Sequence, residues 1–72
     1  MNYYEILEEK AKLGFDELKN YLQTDKNLIW TIVDETDDTM TIEIETWDNE
    51  YYNTEFLMSC EFDADGNFIQ CA

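Results

Sequence analysis

A chain of 72 residues with eighteen acidic side chains, four lysines, no arginine and no histidine carries a formal charge of −14 at neutral pH, well beyond the magnitude of roughly 2–8 usual for a small soluble domain. That balance argues against direct binding to nucleic acid or an anionic membrane, because affinity for phosphate needs Lys and Arg. A hydrophobic content of 44% argues equally against an acidic disordered tail, and the length allows a single domain, residues 1–72, with no deep substrate cleft.

The first element expected is one helix from Asn2 to about Gln23. Asn2 suits an N-cap, and Glu5 three residues on completes a capping-box-like pattern that complements the positive helix end. Tyr3, Leu7, Ala11, Phe15, Leu18 and Leu22 recur on one face at helical spacing, whereas Glu5, Glu8, Glu9, Lys12, Asp16 and Lys19 fall largely outside it. Glu8 and Lys12 form an i,i+4 pair in the favourable order, worth ~0.3 kcal/mol. Gly14 costs about 1 kcal/mol relative to Ala inside a helix. It either lets the helix approach the sheet closely or breaks it into two shorter helices, and one helix is the reading adopted.

Thr24-Asp25-Lys26-Asn27 is a polar connector, after which Leu28–Val33 is a continuous apolar, β-branched run that reads as a strand. A three-residue turn at Glu35-Thr36-Asp37 would bring Trp30 and Ile32 inward, opposite Ile42 and Met40. A four-residue turn would select Ile29, Thr31 and Val33 instead; volume favours Trp30 and Ile32. Thr39–Asp63 then reads as two long strands joined at Asp48-Asn49-Glu50. Met40, Ile42 and Ile44 alternate with Thr41, Glu43, Glu45 and Trp47, so one face is buried and the other wet. With Trp47 facing Tyr51 across the turn, Ile42 falls opposite Phe56 and Met40 opposite Met58 on the inner face. The same register sets Glu43 opposite Glu55 on the outer face, a like-charge pairing that costs stability.

Asp63-Ala64-Asp65-Gly66 resembles the start of a calcium loop, but no acidic residue follows to close it. A type I turn with Gly66 left-handed, forming a G1 bulge, accounts for the same letters. It places Phe62 opposite Phe68, leaves Phe68–Cys71 as a short edge strand, sets Cys60 against Gln70 and points Cys71 to the other face. Two free thiols are expected, a disulfide between them needing a register shift. The fold expected is thus α+β: one N-terminal helix packed on a four-stranded antiparallel meander spanning about residues 28–72. The start of the chain has neither the basic region nor the apolar run of a signal peptide, so a cytoplasmic location and a monomer are the default expectations.

Without histidine there is no ordinary general acid or base at neutral pH and no imidazole ligand for a metal. Without arginine there is no bidentate clamp for phosphate. No enzyme, cofactor or metal site is expected. What remains is charge. All four lysines lie in the first 26 residues with six of the acids, so the predicted sheet carries twelve acids and no base. The expected partner-binding surface is Glu43, Glu45, Glu55 and Glu61 on the outer face with Trp47, Tyr51, Leu57 and Ile69 as anchors, Asp48, Glu50 and Asp63 at the turns, and Asp34, Glu35, Asp37 and Asp38 at the preceding loop. Carboxylates ~6.8 Å apart along a strand, with neighbouring strands ~4.8 Å away, approximate the spacing of successive phosphates. The implied partner is a basic nucleic-acid-binding protein or a ribonucleoprotein complex.

In size, charge and the acidic hairpin around Glu43-Ile44-Glu45 and Glu55, the chain resembles the small phage-encoded inhibitors of bacterial defence, the anti-CRISPR proteins, and other DNA-mimic proteins. That resemblance implies occlusion of a DNA- or RNA-binding channel, as in a CRISPR effector, within a bacterial host cell. Separately, Glu61-Phe62-Asp63-Ala64-Asp65-Gly66-Asn67-Phe68-Ile69 is similar to the closing hairpin of PepSY-like domains, which implies a protein-binding module whose target need not bind nucleic acid.

Overall fold

The helical stretch is two helices, not one. In the computed structural model, which describes residues 2–72, α1 covers Tyr3–Lys12 and α2 covers Phe15–Thr24. Asn2 caps α1 as expected, its Oδ1 accepting the Glu5 N–H at 3.0 Å. The break falls at Gly14, whose φ of 116° and ψ of 166° lie in a region essentially reserved for glycine. There the chain exchanges helical continuity for an anchor to the last hairpin: the Phe15 N–H donates to the Gly66 carbonyl at 2.8 Å, and the Gly14 carbonyl starts α2 by accepting from Leu18 at 3.1 Å. A Cβ on Gly14 would stand 3.3 Å from the Gly66 oxygen. The apolar spacing does not betray the break, because Leu7, Ala11, Leu18 and Leu22 are all buried on the same core.

Four strands follow, β1 (Leu28–Glu35), β2 (Thr39–Asp48), β3 (Asn53–Asp63) and β4 (Phe68–Cys71), paired in sequence order as an antiparallel meander. Both helices sit on one face. Leu7 and Ala11 of α1 and Leu18 and Leu22 of α2 meet Leu28, Ile42, Ile44, Met58, Cys60 and Phe62 of the sheet, and among the described residues no polar side chain is buried with them. Phe62 is the hub: its ring meets Phe15 at 5.5 Å and Phe68 at 6.4 Å, edge to face, while Phe15 meets Trp30 at 5.7 Å. Such aromatic pairs add about 1 kcal/mol each beyond the area they bury. A Tyr3 hydroxyl donated to Asp25 at 2.7 Å ties the start of α1 to the connector before β1.

The inward parity of Met40, Ile42, Ile44, Met58, Cys60 and Phe62 agrees with the alternation, that of Phe56 does not, and the cross-strand partners of β2 differ from those expected. Trp30 pairs with Ile44 and Ile32 with Ile42, where Ile42 and Met40 were expected, and an irregularity between Ile32 and Asp34 leaves Val33 as an extra residue. In the central hairpin Asp48 pairs with Asn53, so the connection is Asn49–Tyr52 instead of Asp48–Glu50. Asp48 Oδ1 shapes it by accepting the N–H groups of Glu50 (2.9 Å) and Tyr51 (3.3 Å), and Tyr52 takes a φ of 53°. A second irregularity at Leu57 adds to the slip. Ile42 therefore faces Cys60, and Met40 faces Phe62, not Phe56 and Met58. One extra residue reverses the facing of everything beyond it, so Phe56 ends opposite Glu45 on the open face and 52% exposed.

The last hairpin forms as expected up to a point. Gly66 is left-handed at φ 85° and Phe62 faces Phe68. Beyond Phe68 a third bulge, at Ile69, shifts the register, so that Cys60 faces Cys71 and Glu61 faces Gln70. Cys71 does not project to the opposite side from Cys60. Both thiols are free, Cys60 buried and Cys71 half-buried. No helix among the described residues is long and apolar enough to cross a membrane.

Candidate acidic interface

The open face of the sheet is laid out by the cross-strand pairs. Thr31, Glu43 and Ser59 form one row; Ile29, Glu45 and Phe56 the next; and Asp34, Thr41, Glu61 and Gln70 the row on the other side. Glu43 and Glu45 are neighbours on one face of β2, ~6.8 Å apart along the strand, with Glu61 and Asp34 diagonal to Glu43 on the flanking strands. Trp47 closes the far end opposite Thr54. Four of the expected carboxylates, Asp34, Glu43, Glu45 and Glu61, therefore do share a face. Among the described residues their one hydrogen-bond partner is the Gln70 amide, which donates to Glu61 Oε1 at 3.0 Å. Among the described residues the one ion pair is Glu8–Lys12 at 3.2 Å, on α1.

Other expected members fall elsewhere. Glu55 pairs with Thr46, not with Glu43, and lines a hollow of about 320 Å³ with Tyr3, Trp47 and Asp48 at the corner where α1 begins. The longer Asn49–Tyr52 connection slides Glu55 away from Glu43, which removes the predicted repulsion, and the bulge at Leu57 puts Glu55 on the opposite parity from Glu61. Tyr51 does not face Trp47 but stands in the Asn49–Tyr52 connection, 70% exposed, beside Glu50, which is also exposed. Glu35 pairs with Met40, so it has the parity of the helix-covered side and lies at the end of the sheet.

That end is a second acidic region. A concave space of about 450 Å³ is lined by Asp16, Glu35, Asp37, Asp63 and Asp65 over an apolar floor of Phe15 and Met40. The loops that build it are held by their own side chains. The Thr36 hydroxyl accepts the N–H groups of Asp38 (3.2 Å) and Thr39 (3.0 Å), and the Thr36 N–H donates to the Thr39 carbonyl at 2.8 Å. Asp63 Oδ1 accepts from the N–H groups of Asp65 (2.9 Å) and Asn67 (2.8 Å), and its other oxygen accepts from the Asn67 amide at 3.2 Å. These bonds, the Asn67 N–H foremost, hold the Asp63 carboxyl below the usual carboxylate range.

Asp16 and Asp65 were not among the expected site residues. Asp16 reads in sequence as part of a solvated helix face and Asp65 as turn chemistry. Only the contact of Gly14 with Gly66 brings the start of α2 against the β3–β4 turn, and two isolated glycines are too weak a signal to announce it. Phe56 was missed for a different reason, since its inward assignment followed from a register the bulge at Leu57 overrides. Chemically the arrangement is an open field of fixed negative charge with a few apolar side chains set into it. No grouping of three or more His, Cys, Asp or Glu residues suited to a metal ion occurs among the described residues. In comparison with known proteins, the chain matches no family model, no curated protein and no solved structure.

Proposed function

We propose that the protein is an acidic inhibitor that imitates the phosphates of a nucleic-acid strand and occupies the basic DNA- or RNA-binding channel of a bacterial defence complex, such as a CRISPR effector. The observation that carries this reading is the sharing of one open face by Asp34, Glu43, Glu45 and Glu61, with no lysine anywhere beyond residue 26. Asp37, Asp38, Asp63 and Asp65 extend the charge around the end of the sheet. A groove built to hold phosphates meets carboxylates at comparable intervals, and their mutual field speeds association and makes it sensitive to salt. The rigid sheet keeps the charges in place, so little ordering entropy opposes binding.

Binding to such a complex should weaken steeply with ionic strength and be competed by DNA or RNA. The triple variant Glu43→Gln, Glu45→Gln, Glu61→Gln should lose inhibition at least tenfold while staying folded, because removing like charges relieves repulsion. Undiminished inhibition by that variant rules the reading out.

A second reading has its own support. Ile29, Trp47 and Phe56 stand on the same face around Glu45, with Phe56 half exposed, and apolar anchors of this kind dominate ordinary protein interfaces. In a protein-binding module of that type, Phe56→Ala and Trp47→Ala abolish binding, and neither salt nor competing nucleic acid affects it strongly.

A further inference from the structure

We propose that Cys60 and Cys71 are a redox-active thiol pair that closes into a cross-strand disulfide by exchange with a small-molecule disulfide, fastening the C-terminal strand to the sheet. The bulge at Ile69 makes the pair. It brings Cys71 directly opposite Cys60, and the next pair along, Ser59 with Ala72, exchanges both of its backbone hydrogen bonds, at 3.0 and 2.8 Å. Cys60 and Cys71 consequently occupy the position without mutual backbone hydrogen bonds, where the Cα atoms of antiparallel strands come within ~4.5 Å and the side chains are nearest. That separation lies inside the window of ~4.4–6.8 Å that a disulfide spans, so closure needs no movement of the backbone.

The two sulfurs are unequal in a way that orders the steps. Cys60 lies wholly inside the core, whereas Cys71 is half exposed at the sheet edge. The hydrogen bond between them, reinforced by burial, pushes the Cys60 thiol up, and the same hydrogen bond draws Cys71 down. From α1, Glu8 opposes that lowering and Lys12 assists it, and these two side chains are themselves paired. Cys71 is the reachable thiolate and therefore the attacking group.

Its sulfur attacks one sulfur of the small disulfide. The external S–S bond breaks, one thiolate leaves and takes up a proton, and Cys71 is held as a mixed disulfide. Cys60 then gives up its proton and attacks the Cys71 sulfur, expelling the second small thiol. Two protein thiols are oxidised and one small disulfide is reduced to two thiols.

The consequence falls on β4. This strand is only four residues long and is paired on one side only, so it opens more readily than the central strands. A link closing a loop of about a dozen residues should slow exchange of the β4 amide protons by about 100-fold.

The test uses the full chain equilibrated with mixtures of oxidised and reduced glutathione, then alkylated and weighed by mass spectrometry. The expected product is a monomer lighter by two hydrogens with neither cysteine alkylated, and slower amide exchange confined to β4 and its neighbour. Cys60→Ser should stop at a glutathione adduct on Cys71, and Cys71→Ser should form no adduct at comparable rate. Retention of two alkylatable thiols in glutathione mixtures that oxidise a small dithiol peptide overturns the proposal. So does a product linked only between chains, or an adduct that forms on Cys60 in preference to Cys71.

Discussion

Replacing Gly14 by alanine tests the architecture through the sign of its effect. In a continuous helix from Asn2 to Gln23 the substitution would stabilise the protein by about 1 kcal/mol, because alanine is the better helix former by that amount. In the observed fold the residue sits at φ 116° and ψ 166°, where a side chain costs ~1–3 kcal/mol in backbone strain. The added Cβ would also lie 3.3 Å from the Gly66 carbonyl oxygen, closer than comfortable contact, and that carbonyl is held in place by the Phe15 N–H. The combined cost is ~2–4 kcal/mol, against a total stability of ~4–11 kcal/mol for a chain of this length. The melting temperature should fall by about 10–25 °C. Gly66→Ala is the internal comparison. Its left-handed φ of 85° costs an alanine ~1–2 kcal/mol, but its Cβ would meet Phe15 Cβ at an ordinary 3.6 Å, so it should be the milder change. Thermal and urea unfolding followed by circular dichroism measure both variants. A Gly14→Ala protein as stable as the parent, or more stable, would refute the helix break and the anchoring of α2 on the last hairpin.

The bulge at Leu57 makes a complementary prediction, because it assigns opposite fates to two phenylalanines of β3. Phe56→Ser should change stability by less than ~1 kcal/mol, whereas Phe62→Ala removes the hub of the core and should cost ~3–5 kcal/mol; a large loss for Phe56→Ser in urea titrations would contradict the register. Stability at alkaline pH should reveal the Tyr3–Asp25 bond, which, with burial and the charge of Asp25, raises the Tyr3 hydroxyl above its ordinary value. A group raised on folding contributes its full stability below its ordinary value, ~10 for tyrosine, and loses it as pH climbs through the raised one. Tyr3→Phe should accordingly be less stable than the parent at neutral pH and close the gap above pH ~10; parallel stability curves for the two proteins would show that the bond contributes nothing.

Much of this protein is written locally in its sequence. The Asn2 cap needs only Asn2 and the Glu5 N–H. The turn at Asp63–Gly66 needs an aspartate to accept backbone N–H groups and a glycine to turn left-handed. The alternation in Met40–Trp47 fixes which side chains of β2 face inward, since that period is a property of any extended chain with one wet side. These are interactions between residues a few positions apart, and each was legible. The concentration of negative charge beyond residue 26 was legible for the same reason: it is a property of composition.

What decided the candidate interface was not local. Whether Glu55 joins Glu43 depends on one extra residue at Leu57 and on an Asn49–Tyr52 connection shaped by Asp48. Neither carries a distinctive residue type, and either reverses or slides a whole strand. In the observed register Ile42 and Ile44 meet Cys60 and Met58, while Phe56, which the simpler hairpin would have turned inward together with Cys60 and Phe62, stands on the open face. The break at Gly14 likewise has no signature in the apolar spacing, since the helices on both sides of it feed the same core. It is stabilised by the hydrogen bond from the Phe15 N–H to the Gly66 carbonyl, fifty-one positions away. Charge, and facing within an unbroken stretch such as Met40–Trp47, follow from neighbours along the chain; register, the facing of Phe56 and Glu55, the meeting of Cys60 with Cys71 and the company each carboxylate keeps are decided by tertiary packing.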